Sequence, residues 1–126
     1  MRRLAPLLLF CLFAGSAYAQ TTPNYVIFFQ EWSAALDDSA QGVITQAANW
    51  AKAHPGSRVV VTGFADTTGS QKANLLLSEL RAQMVVDQLT ADGVTEQRMR
   101  PVGRGSVKSA FNMQESRRVQ VSFTGH

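Results

Sequence analysis

The segment Arg58-Val59-Val60-Val61-Thr62-Gly63-Phe64 constrains the fold more than any other part of the chain. It is almost continuously apolar and rich in β-branched residues, as a central parallel strand is. Segments of helical period flank it on both sides. Upstream, Ala40, Val43, Ile44, Ala47, Ala48 and Ala51 recur at helical spacing behind a capped start at Asp38, with Gln41 three residues on. His54-Pro55-Gly56 stops that helix, because proline cannot continue it and disfavours helix at the residue before. Downstream, a second helix is expected from about Ser70 to Ala91, with Leu77, Leu80, Met84, Val85 and Leu89 as its apolar stripe. It ends at Asp92-Gly93, where glycine takes the left-handed C-terminal position.

Three further strands complete the pattern. Tyr25-Val26-Ile27-Phe28-Phe29 reads as a buried first strand, and a shorter one is expected near Arg100 to Arg104. Arg117 to Phe123 alternates, with Val119, Val121 and Phe123 on one side. Right-handed crossovers return each strand parallel to its predecessor. The order therefore specifies an α/β fold, a two-layer β-α-β-α-β-β domain with two main helices packed on a mixed four-stranded sheet.

The N-terminus is set apart from this pattern. Arg2 and Arg3 precede an apolar run from Leu4 to Ala14, and Ala17-Tyr18-Ala19 forms a small-residue cleavage site. This is the three-part form of a secretory signal peptide, expected at residues 1–19, and its apolar core is short of the roughly 20 residues that span a membrane. Cys11 is an apolar member of that core, since Leu9-Phe10 stands where a lipid-attachment site needs small residues. Residues 20–126 then form one domain. Without Arg2 and Arg3 the charge is 10 Lys and Arg against 9 Asp and Glu, a net of +1. Export and this small net charge argue against nucleic acid as partner. The expected location is periplasmic, with no membrane span in the mature chain.

The residues that carry chemistry lie after the central strand. Asp66 falls just past its carboxyl end, where ligands bind in open α/β sheets. Gly63 and Gly69 let the backbone turn and approach a ligand. On the following helix Asn74, Ser78 and Arg81 share one face, spanning roughly 10 Å from Asn74 to Arg81. A carboxylate on the loop and a guanidinium on the helix can then face each other across a small cleft and hold a zwitterion. Residue types alone are equally satisfied by a structural arrangement. In that one, Asp66 caps the loop or helix start and Arg81 pairs with Asp66 or Glu79 on a solvated face.

The pattern Gly63-x-x-Asp66-x-x-Gly69, Asn74-x-x-Leu77-Ser78-x-x-Arg81-Ala82-x-x-Val85 and Arg117-Arg118-Val119 resembles the C-terminal, peptidoglycan-binding domain of outer membrane protein A. Domains of this type also occur in peptidoglycan-associated lipoproteins and flagellar stator proteins. The resemblance runs from Tyr25 to Phe123 and implies the same β-α-β-α-β-β fold. It implies noncovalent binding of peptidoglycan through the diaminopimelate of its peptide stems, anchoring or stabilising the cell envelope. Asp66 and Arg81 become the ligand pair, Asn74 and the backbone amides near Thr67 and Thr68 line the pocket, and Arg117 contributes third. Three departures stand out: Phe64-Ala65 replaces the usual His-Thr, Ser116 replaces an asparagine, and the loop from Gly105 to Glu115 is short and lacks the common proline.

Two other functions compete. A wall hydrolase needs a carboxylate pair, a Cys–His arrangement or zinc ligands. The chain after residue 19 has no cysteine and only His54 and His126, so no enzyme activity, cofactor or metal is expected. The second alternative is a periplasmic protein-interaction module of the same fold that has lost wall binding, with envelope proteins as partners. Phe64, Trp32 and Phe111 are then its patch candidates, although Trp32 and Trp50 suit partial burial equally.

Overall fold

In the computed structural model, residues 21–107 and 113–125 are described. The signal segment and Phe111 therefore lie outside the described residues. The elements run β1 (Tyr25–Phe28), α1 (Asp38–Ala53), β2 (Ser57–Ala65), α2 (Gln71–Ala91), β3 (Met99–Ser106), a single turn α3 (Met113–Ser116) and β4 (Arg118–Gly125). A 3-10 turn at Glu96–Arg98 leads into β3.

The strand that anchored the sequence reading is interior. The sheet order is β1-β4-β2-β3, with β2 parallel to β3 and antiparallel to β4. β1 is antiparallel to β4 and so runs parallel to β2, as two successive crossovers require. The last strand inserts between the first two. Its core-facing Val119 and Val121 sit opposite Ile27 and Tyr25 on one side, and opposite Gly63 and Val61 on the other.

Both helices cover one face of this sheet. Ala40, Ile44, Ala47, Ala48 and Ala51 of α1 are buried, together with Val59 and Val61 of β2 and Val85, Val86 and Leu89 of α2. Val60 and Phe64 point to the uncovered face and are only half-buried. There the guanidinium of Arg118 lies 4.1 Å from the centre of the Phe64 ring, so neighbouring side chains supply the cover that a second helical layer would give.

Two sequence expectations shift. The cap of α1 is Asp37, whose side chain accepts from the Ala40 amide at 2.8 Å; Asp38 is the first helical residue. The buried face of α2 is also rotated from the expected stripe in its first half, whereas further along Val85 and Leu89 are buried as expected and Leu77 and Met84 are half-buried. Asn74, Ser78, Arg81 and Ala82 face inward, while Leu75, Leu76 and Leu80 are exposed. Two glycines paired across β2 and β3 explain the rotation. A Cβ at Gly63 would collide with the Ser78 carbonyl, and one at Gly103 would lie 2.8 Å from the Glu79 amide. The helix therefore rests on bare backbone with its small and polar residues, and Leu75, Leu76 and Leu80 are displaced to its flanks.

Candidate functional site

The close approach of α2 brings the end of β2 and the start of the helix into one polar cluster. Ser70 caps α2, its hydroxyl accepting from the Ala73 amide at 3.0 Å. The loop from Asp66 to Gly69 is thereby fixed at both ends. Gly69 completes it with φ +85°, a backbone conformation that favours glycine. Gly63 has a different role from the one expected: its missing side chain admits the helix, not a turn or a ligand.

Asp66 is buried at the loop's start. Its Oδ1 accepts from the Thr68 hydroxyl at 2.7 Å and from the Thr68 amide at 3.3 Å. Its Oδ2 meets Nη1 of Arg117 at 3.3 Å, the cluster's ion pair among the described residues. Burial pushes the Asp66 carboxyl up, but the bonds from Thr68 and Arg117 outweigh it and hold the group below its ordinary value. Arg117 also donates from Nε to the Phe29 carbonyl at 3.3 Å, and its side chain keeps 19% of its exposure.

Arg81 stands elsewhere than across an open cleft. Its side chain is fully buried and makes three bonds to backbone carbonyls. Nε donates to Ser33 at 2.8 Å, Nη1 to Phe64 at 3.0 Å and Nη2 to Gln30 at 2.9 Å. The Phe29 ring packs 5.2 Å from its central carbon. Burial lowers its pKa to about 10, against the pull of the Asp66 charge, so the group stays cationic at neutral pH. Arg81 thus ties the turn after β1 to the end of β2, and it acts on Asp66 through charge rather than contact.

The remaining candidates divide. Asn74 is buried and donates to the Thr68 carbonyl at 2.6 Å, while its Oδ1 has no hydrogen-bond partner. Ser78 bonds within the fold, accepting from the Gly105 amide at 2.8 Å and donating to the Leu75 carbonyl at 2.7 Å. The Thr68 amide points inward onto Asp66, and Thr67 is exposed at the loop surface. The sequence reading did not foresee the turn at residues 30–33. Nothing in its residue types announces that its carbonyls receive a buried arginine from 48 and 51 positions away.

A family model described as the OmpA family matches residues 28–121. This chain belongs to the OmpA family. Among similar proteins, the peptidoglycan-associated lipoprotein of Legionella pneumophila is 32% identical over 97 residues, covering 76% of this chain and 55% of that protein. The peptidoglycan-binding protein ArfA of Mycobacterium bovis is 38% identical over 97 residues, covering 77% of this chain and 29% of that one. The chain therefore spans about half the length of the first relative and less than a third of the second. The crystal structure of the peptidoglycan-associated lipoprotein from Burkholderia pseudomallei superposes with a TM-score of 0.73 at 24% identity, over 79% of this chain and 90% of that one. Two helices on a mixed four-stranded sheet are thus the OmpA-like fold that the sequence pattern implied. Among the described residues, no group of three or more His, Cys, Asp or Glu is placed to hold a metal ion. No described helix is long and apolar enough to cross a membrane.

Proposed function

We propose that this domain binds peptidoglycan noncovalently through the diaminopimelate of its peptide stems, in the periplasm, and so anchors or stabilises the envelope. The observation that carries the reading is the Asp66 carboxylate. It is held ionised at the carboxyl end of an interior strand, in contact with one guanidinium and within the field of a second. The names of the relatives, which bind or associate with peptidoglycan, support the choice of ligand.

The diaminopimelate side chain ends in an ammonium and a carboxylate. Asp66 accepts the ammonium, and Asn74 holds the loop beneath it through the Thr68 carbonyl. The ligand carboxylate is drawn to Arg117, the more open of the two cations, while the buried Arg81 adds its positive charge from beneath the pocket without contact. The exposed Thr67 and the backbone of Thr68 form the rim. No bond is made or broken: the role is binding, not catalysis. Charged hydrogen bonds contribute about 1.5–3 kcal/mol each, and association takes several back. One site therefore holds at roughly micromolar to millimolar strength, and a repeating polymer raises retention by rebinding.

Sedimentation with intact sacculi tests the reading. The protein should pellet with the wall, free diaminopimelate should release it, and Asp66→Asn should weaken retention about ten- to a hundredfold. The exposed leucines Leu75, Leu76 and Leu80 favour a second reading, a protein-interaction module. Undiminished pelleting by Asp66→Asn, or none by the unsubstituted protein, would transfer support to it.

A further inference from the structure

Trp32 occupies a conformation that a bulky side chain disfavours. Its φ of 52° lies in the left-handed region, and it alone does so among the described non-glycine residues. The Ser33 amide donates to the Gln30 carbonyl at 3.1 Å, so residues 30–33 form a turn. Trp32 fills its third position, where a positive φ calls for glycine or asparagine. Arg81 explains how the turn is held. It binds the carbonyls of Gln30 and Ser33, one on each side of the strained residue. A fully buried arginine is spent on fixing a turn whose tip carries a tryptophan that is 50% exposed. Backbone strain of this kind persists only where its surroundings over-determine it, and it gathers at ligand clamps.

The indole has a defined seat. Its six-membered ring lies against Gly69, where an added Cβ would come within 2.6 Å. Gly69 closes the loop that begins at Asp66, and both the indole and this glycine depend on left-handed backbone. An aromatic placed only to fill the core would turn inward, as neighbouring Phe29 does at 3% exposure. Trp32 instead holds half of a flat apolar surface open beside a charged pocket.

We propose that Trp32 is a sugar-contacting residue, stacking its indole on the C–H face of a pyranose ring of the wall glycan. The inference rests on the wall-binding reading above and extends it from the stem to the saccharide. The choice of sugar follows from reach and chemistry. From Asp66 to Gly69 the chain spans at most about 11 Å. Two stem residues and a lactyl ether separate diaminopimelate from its sugar, a length of the same order. The stem between them is polar and carries a carboxylate, whereas the sugar ring presents the nearest flat apolar face.

Calorimetry with two ligands tests this: a disaccharide–peptide unit, and the same diaminopimelate-containing peptide without sugar. Trp32→Ala should weaken the disaccharide–peptide about three- to tenfold and the free peptide less than about twofold, with Trp32→Phe recovering most of the loss. The chain has two tryptophans, so in a Trp50→Phe background emission reports Trp32 alone. It should change more with the disaccharide–peptide than with the peptide. Equal losses on both ligands would make Trp32 a holder of the turn and overturn the proposal, as would no loss on either. If the unsubstituted protein binds neither ligand, the wall reading itself falls and this one with it. Binding of the peptide with no gain from the sugar overturns the sugar contact alone.

Discussion

Arg81 carries a burden at the residue scale that its charge alone does not suggest. Its acceptors are the carbonyls of Gln30, Ser33 and Phe64, which lie on two separate segments of chain. Truncating it removes a donor from each of three carbonyls, of which Gln30 keeps the Ser33 amide, and leaves a cavity under the Phe29 ring. Arg81→Ala should therefore lose about 3–5 kcal/mol of stability, read as a lower midpoint in urea denaturation. A loss below about 1 kcal/mol would mean that the buried bonds contribute little. Loss of wall binding by this variant reports the fold and the ligand together, which makes Asp66→Asn the cleaner probe of the pocket. The sequence singled out Arg81 by spacing and by family pattern, and it placed the residue on the same helix face as Asn74 and Ser78. That face is the buried one. Burial was not legible, because neither spacing nor composition reveals which distant carbonyls will receive a guanidinium. Arg117 was legible in direction: it shares strand parity with Val119, and it reaches Asp66 from that side.

At the scale of elements, the order and extent of the long segments were legible, and the facing of α2 was legible only toward its C-terminal end. Proline at position 55 and glycine at 93 mark real ends. The Gly93 amide closes the last turn of α2 on the Thr90 carbonyl at 3.0 Å, with φ at +105°. The expected stripe held at Val85 and Leu89 and failed at Leu80, because hydrophobic period reports the side of a helix that carries bulk, whereas Gly63 and Gly103 create a seat that only small and polar residues fit. The insertion of β4 between β1 and β2 was also hidden, since local pattern carries no information about which neighbour a strand selects. A pair of glycine substitutions tests this account of the seat. Gly63→Ala should destabilise by about 2–3 kcal/mol, because its Cβ meets helix backbone that cannot move aside cheaply. Gly42→Ala, inside α1 with nothing within 4 Å of the new carbon, should stabilise by about 0.5–1 kcal/mol. Thermal unfolding of both variants reads the contrast. Comparable effects of one sign would show that helix propensity, not close packing, governs both positions.

Across the described residues, cations are placed at both ends of β2, but the ion pair with an acid is at only one. At the far end Arg98 donates to the carbonyls of Ala51, His54 and Ser57, closing α1 onto the sheet through backbone acceptors. At the near end Asp66 lies between Arg81 and Arg117. Arg58, Arg100 and Arg104 are exposed on strands of the same sheet. Acidic wall material could therefore associate through diffuse attraction to these arginines or through the one pocket, and the two routes respond differently to pH and salt. Diffuse attraction is screened by salt and weakens as ordinary carboxylates on the wall begin to protonate. The pocket depends on a carboxyl held below its ordinary value of 3.8. A group whose folded pKa is depressed contributes fully above its unfolded pKa, and that contribution is lost as pH falls through the folded one. Retention on sacculi should thus be flat from about pH 8 to about pH 5, persist in about 0.3 M salt, and fall only as pH drops below 3.8. Pelleting across a pH series at low and high salt separates the routes. Retention that fades with salt, or is already half lost at about pH 5, would assign binding to the surface arginines and remove Asp66 from its proposed role.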